Sequence, residues 1–205
     1  AWLIALGVAV GLALVAFGAA LYFYLSPEHA VRRALQLERS LAGLQRREIA
    51  LPDGLRYVYL EGGKGEPLML LHGFGGNKDN FVRVAKYLTP RYRVLIPDLA
   101  GFGESAKPPK ADYSPRAQAE RLRALAKELG IPKLHLGGNS MGGHIALTYA
   151  ALYPKEVVSL WLLAPSGVWS APPSEVRKRM EATGHNPLIV RDEEEFAQLI
   201  ATVTA

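Results

Sequence analysis

Gly138-Asn139-Ser140-Met141-Gly142-Gly143 sets a serine among glycines, directly after the apolar run Leu134 to Leu136 and directly before a helical pattern. A serine that attacks a carbonyl must project above its sheet on a sharp strand-to-helix turn, and flanking glycines let the backbone make that turn without Cβ clashes. The competing reading is a glycine-rich turn in which Ser140 merely caps the next helix. The strand before it and the helix after it favour the nucleophile. A second glycine turn, His72-Gly73-Phe74-Gly75-Gly76, ends another apolar run, Leu68 to Leu71. Acyl transfer requires preorganised donors for the developing oxyanion, and the backbone N–H groups of Phe74 and Met141 are the candidates. His72 precedes its turn, so it suits holding that loop by hydrogen bonds better than acting as a general base.

These turns need a sheet to carry them. Arg47 to Leu51 and Arg56 to Glu61 flank Pro52-Asp53-Gly54 and read as a hairpin. Leu68 to Leu71, Tyr92 to Ile96, Leu134 to Leu136 and Val157 to Leu163 are short, nearly continuous apolar runs, the pattern of parallel strands covered on both faces. Phe81 to Leu88, Pro115 to Leu129 and Met141 to Leu152 show helical spacing between them. Alternating strands and helices define an α/β sheet. Beyond Pro165 the alternation stops; Ala171-Pro172-Pro173 breaks the chain, and charged helices are expected around 174 to 182 and 192 to 202.

Composition bounds the chemistry. Among 205 residues there is no cysteine, which excludes disulfides, Cys-ligated metal sites and a thiol nucleophile. The five histidines show no ligand spacing, so no metal and no organic cofactor is expected. The net charge of +5 would suit an anionic membrane surface, and no motif supports nucleic acid. Trp2 through Leu25 carries no charge, and as a helix of about 1.5 Å per residue it could cross a hydrocarbon core of about 30 Å. A cleaved signal peptide is the rival, opposed by the aromatic run Tyr22-Phe23-Tyr24 and the lack of a basic leading segment. Residues 29 to 44 then mix Val31, Ala34, Leu35, Leu41 and Leu44 with Arg32, Arg33 and Arg39. That pattern is an amphipathic juxtamembrane helix, either a solvated connector or a surface for headgroups or a second copy. Gly7-x-x-x-Gly11 has the spacing for close helix approach, so a homodimer through the anchor and juxtamembrane helix is an expectation.

Together with the apolar N-terminal helix, His72-Gly73-Phe74-Gly75, Asp98-Leu99-Ala100-Gly101-Phe102-Gly103-Glu104-Ser105 and Gly138-Asn139-Ser140-Met141-Gly142-Gly143 give a chain that resembles the α/β-hydrolase superfamily. It is most similar to membrane-anchored monoacylglycerol lipase, lysophospholipase and phospholipase A members. The resemblance covers nearly the whole chain. It implies an α/β-hydrolase fold with its first six strands and the start of a helical lid, preceded by a single transmembrane helix. The expected divisions are an anchor at 1–27, a juxtamembrane helix at 28–45, the N-terminal part of the hydrolase core at 46–169 and the lid at 170–205.

The resemblance also implies carboxylic ester hydrolysis of lipid esters through an acyl-enzyme on Ser140, with lipid esters or fatty acids and the membrane as partners. In that family the triad runs Ser, then Asp or Glu, then His, with both later members beyond the lid. His144, just after the serine, and His185, in Gly184-His185-Asn186-Pro187, do not match the family position; Asp192 and Glu193 to Glu195 read as first-turn charges of a helix. The triad acid and His are therefore expected outside this chain, which reads as a C-terminally shortened piece, with a natural short form that has lost hydrolysis as the alternative. Two alternatives stand beside the lipase: a carbon–carbon bond hydrolase of the same superfamily, and a non-catalytic membrane-tethered interaction module. By the positive-inside rule, Arg32, Arg33, Arg39, Arg46 and Arg47 put the domain in the cytoplasm, but basic residues ahead of Ala1 would reverse that, so the side is left open.

Overall fold

The computed structural model describes residues 2–168 and 170–204. Helix α1 (Trp2–Leu25) is apolar all round, as suits a helix surrounded by hydrocarbon. Its Leu6–Leu25 stretch is long and apolar enough to cross a membrane. After Ser26, Pro27 opens α2 (Pro27–Leu41), where its missing N–H costs nothing. This amphipathic helix docks on the rest of the chain with its polar side. Arg39 makes a two-pronged ion pair with Asp79 at 2.7 and 2.6 Å, and Arg83 bonds Glu38 at 3.1 Å. Val31, Leu37 and Leu41 are left facing outward.

The sheet begins with an antiparallel hairpin, β1 (Leu44–Ala50) and β2 (Arg56–Gly62), around a turn in which Leu55 N–H donates to Asp53 Oδ1 at 2.9 Å. Because α2 stops at Leu41, the last residues of the 28 to 45 stretch already lead into and join the sheet. Strands β3 (Glu66–Leu71), β4 (Tyr92–Pro97), β5 (Leu134–Asn139) and β6 (Val157–Leu163) follow. The order is β1-β2-β4-β3-β5-β6, with β2–β4 antiparallel and β3–β4, β3–β5 and β5–β6 parallel.

Side chains of β3 alternate between two cores, as the period of a strand requires. Leu68 and Leu70 pack with Val82 and Ala85 of α3 (Val82–Leu88), while Met69 and Leu71 pack with Leu122 and Leu125 of α4 (Pro115–Glu128) and Ile145 and Tyr149 of α5 (Met141–Leu152). The helix expected from Phe81 opens instead with a 3₁₀ turn over Lys78–Phe81, because Asn77 and Asn80 form a reciprocal cap ahead of it. β5 runs past its apolar residues through Gly137, Gly138 and Asn139, held by parallel neighbours on both sides.

β6 departs from expectation. Its apolar run reads as a strand covered on both faces, yet Val158, Leu160 and Trp161 are exposed: β6 is the last strand in the order, and of the described helices only α5 packs broadly against it. Past it, α6 (Glu175–Thr183) and α7 (Glu193–Thr204) match the two expected charged helices. Ser174 caps α6 by accepting the Arg177 N–H, and Gly184 ends it in the left-handed conformation.

Candidate active site

Ser140 joins β5 to α5 with φ 52° and ψ −116°, a region that costs a non-glycine residue about 1–3 kcal/mol. Surrounding hydrogen bonds hold it there. Its N–H donates to Leu163 O at 3.0 Å, and its carbonyl accepts the N–H groups of Ser166 at 3.0 Å and His144 at 3.1 Å. The flanking glycines are required by close approach: a Cβ on Gly138 would meet the Gly142 carbonyl, and one on Gly142 would meet the carbonyls of Leu71 and His72. The side chain of Ser140 is half-buried, and its Oγ has no hydrogen-bond partner among the described residues.

The turn after β3 lies against this elbow. A Cβ on Gly73 would stand 3.0 Å from Asn139 Oδ1 and 3.4 Å from Ser140 Cβ, so the turn lies in close contact with the elbow. Met141 is the first residue of α5, where a backbone N–H has no helical acceptor and the helix dipole is positive. Neither this N–H nor that of Phe74 donates to a protein acceptor among the described residues. The Phe74 ring is exposed and meets Phe102 edge-on at 5.8 Å.

His72 is fully buried and uses both ring nitrogens. Leu99 N–H donates to Nε2 at 3.1 Å, so the ring proton is on Nδ1 and donates to Gly73 O at 2.8 Å. Burial pushes its pKa below the ordinary 6.5, which keeps the ring neutral. It thus ties the 72–76 turn to the loop after β4, the structural part expected of it.

Behind that turn is a buried charge cluster. Asp98 accepts the Lys78 N–H at 2.7 Å, the Lys78 ammonium at 2.8 Å and the Glu104 N–H at 2.7 Å. Lys78 Nζ also reaches Glu104 at 2.6 Å, and Arg46 holds Glu104 from outside at 2.7 Å. The Arg46 hydrogen bond, helped by Lys78 and opposed by burial, pulls the Glu104 carboxyl down to about 2. A side chain at Gly103 would strike the Asp98 carboxylate, which explains the glycine in that loop. Lys78 carries no sequence signal of this role: it is a single lysine after a glycine turn, and only the capping residue Asn77 marks the place.

The other sequence candidates lie apart from this constellation. The His144 ring packs where a Gly167 side chain would go, and although the His144 backbone N–H bonds the Ser140 carbonyl, no hydrogen bond among the described residues joins the ring to the Ser140 hydroxyl. His185 sits 3.1 Å from the Arg191 guanidinium, with Glu195 at 3.7 Å, and Asp192 caps α7 by accepting the Glu195 N–H at 2.8 Å. Beside the elbow, an open and largely apolar cleft of about 360 Å³ runs from Pro165, Ser166 and Gly167 to Met180 and Leu188. Ser166 is the residue whose N–H binds the Ser140 carbonyl, so the cleft begins next to the serine.

Comparison with known proteins matches residues 66–193 to the α/β-hydrolase fold model. The chain belongs to the α/β-hydrolase family. Over 173 residues, 82% of this chain, it is 46% identical to Lipase 1 of Psychrobacter immobilis, and it covers 53% of that protein. Monoacylglycerol lipase ABHD6 of Rattus norvegicus is 29% identical over 191 residues, 87% of this chain and 56% of its own length. Among solved structures, a membrane phospholipase A described as a bacterial virulence factor superposes with a TM-score of 0.81 at 45% identity, covering 94% of this chain and 62% of that one. The chain therefore spans roughly half to three-fifths of the length of these family members.

Proposed function

We propose that the protein carrying this chain hydrolyses carboxylic esters of membrane lipids. Ser140 Oγ gives its proton to a base as it attacks the acyl carbonyl, the N–H groups of Phe74 and Met141 stabilise the oxyanion, and the alcohol takes up that proton as it leaves; water then cleaves the acyl-enzyme to the free acid and restores the Ser140 hydroxyl. The observation that carries this reading is the strained backbone of Ser140, held by three hydrogen bonds between glycines that admit no side chain. Similarity to Lipase 1 and to a phospholipase A supports the substrate class. The apolar cleft beside Ser166 suits an acyl chain.

Helix α1 is the proposed anchor, and the course of α2 supports delivery from the bilayer. From Ala42 beside Thr89, at the start of β4, the helix passes Asp79, just after the 72–76 turn, and residues 39 back to 27 add about 18 Å in the same direction. That brings α1 to the end of the sheet where Ser140 lies. The open surroundings of Gly7 and Gly11 leave room for a second copy, which crosslinking in membranes would detect.

The test is fluorophosphonate labelling, with turnover of monoacylglycerol and lysophospholipid, of the 205-residue chain and of any longer polypeptide that carries it. Ser140-dependent labelling and ester turnover are expected of the longer polypeptide. Activity confined to a ring-cleavage dienoate would replace the lipase with the carbon–carbon bond hydrolase. The second reading, a non-catalytic membrane-tethered module, draws on the absence of any imidazole bonded to Ser140 among the described residues. No labelling of either polypeptide would favour it.

A further inference from the structure

We propose that the cleft where α1 meets α2 binds the phosphate of an anionic membrane lipid, with the Arg32 and Arg33 guanidinium groups as its ligands. The proposal rests on the reading of α1 as a membrane anchor. Across the bend at Ser26-Pro27 the Tyr22 hydroxyl is hydrogen-bonded to His29 Nδ1 at 2.9 Å, and the two rings stack 5.7 Å apart. The bend holds Tyr22, Phe23, His29, Arg32, Arg33 and Gln36 around an open cleft of about 400 Å³. A neighbouring cleft of about 420 Å³ continues from Arg32 and Gln36 to Arg39, Arg46 and Glu104.

The arginines of this region fall into two groups. Arg39 is committed to Asp79, and Arg46 to Glu104 and Glu48. No carboxylate lies within ion-pair distance of Arg32 or Arg33 among the described residues. Glu28 stands four residues before Arg32, the spacing at which helix charges pair, and both line the outer groove with Pro27, Val31 and Leu35, yet the two form no ion pair among the described residues. Glu104, the carboxylate at the far end, is already held by Lys78 and Arg46. Uncompensated positive charge therefore remains at Arg32 and Arg33. A guanidinium meets a phosphate with paired N–H bonds, and the Gln36 amide offers a neutral donor beside it.

Position decides the source of the phosphate. Arg32 lies at most about 10 Å of helix beyond Leu25, and the headgroup layer adds about 5–8 Å to each side of the hydrocarbon core. Tyr22 and Phe23, on the same cleft, have the amphipathic and apolar character found at that boundary. The ligand is thus a lipid phosphate rather than a dissolved one.

The experiment places the intact chain in nanodiscs and measures, by the restricted fraction of spin-labelled lipid, its preference for phosphatidylglycerol over phosphatidylcholine. The unaltered chain should prefer phosphatidylglycerol. Arg32→Gln or Arg33→Gln should each reduce the preference about fivefold, and the double variant about 25-fold. Arg91→Gln removes one exposed charge at the opposite end of the sheet and should leave it unchanged; an equal loss there would overturn the site in favour of diffuse charge. Competition by inorganic phosphate as effective as by lipid would overturn the lipid source. Alkaline carbonate extraction separates the layers of the argument. If carbonate removes the chain from membranes, the anchor reading falls and the site with it; a carbonate-resistant chain with no lipid preference overturns the site alone.

Discussion

Between Leu44 and Val168 many ion pairs join residues far apart in the chain, such as Lys78 with Asp98, Arg46 with Glu104 and Arg123 with Glu156, beside a few local ones such as Arg116 with Glu120. In and beside α6 and α7 the pairs Arg177–Glu181, Lys178–Glu175 and Arg191–Glu195 lie three or four residues apart, and His185 reaches Glu195 across only ten. The first region buries Lys78 and Asp98 almost completely, while no residue of α6 is buried. The contrast shows where geometry is enforced. Charges that close loops across the sheet fix the turns around Ser140, whereas local pairs support helices that wall a cleft without setting the position of the elbow.

The strongest way to break this contrast is Lys78→Met, which leaves Asp98 charged and unpaired in the core. A loss of about 3–5 kcal/mol is expected in denaturant unfolding, and Lys78→Met with Asp98→Asn, which removes the charge and keeps a carbonyl acceptor for the backbone N–H groups of the loop, should recover part of it. A double variant as unstable as the single one would mean that the cluster does more than balance its own charges. Next in size is Ser140→Gly. Glycine adopts positive φ without strain, so stability should rise by about 1 kcal/mol while fluorophosphonate labelling disappears. A loss of stability would show that the elbow is not strained.

Acid sharpens the comparison further. The Glu104 carboxyl titrates near 2 in the fold against 4.5 when unperturbed, so its contribution is complete above about pH 4.5 and is lost as the pH falls toward 2. Burial likewise depresses His72, so stability should begin to fall as the pH drops below 6.5, where the unfolded ring takes up a proton that the buried one resists. Urea midpoints across this range should slope less for Glu104→Gln at the acid end and for His72→Gln nearer neutrality. The smallest effect belongs to the other region: Glu181→Ala, which removes an exposed i,i+4 pair with Arg177, should change stability by less than about 0.5 kcal/mol.

The strands, helices and glycine turns that carry Ser140, Phe74 and Met141 were legible because each depends on local pattern. Apolar runs mark β3 to β6, and glycines mark the places where backbones meet. The exposure of β6 was not legible, since an apolar run reports what a strand could bury and not which neighbours it has. Nor was the orientation of α2. Its apolar stripe invites docking by that face, yet Arg39 and Glu38 find partners at Asp79 and Arg83, forty and forty-five residues away, that no periodicity could reveal. Lys78 was hidden for the same reason. A buried lysine looks like a surface one until its carboxylates are found.

The hydrogen bonds that hold Ser140 have a consequence for synthesis. Leu163 and Ser166, which fasten the Ser140 N–H and carbonyl, leave the ribosome after Ser140 itself, so that residue cannot take its final posture while it is being made. β3 waits as well, because its partner β5 begins only at Leu134, and until then one edge of an apolar strand stands open. A translational pause while residues between Leu71 and Leu134 are emerging would lengthen that wait, and a pause after Ser166 has emerged would not.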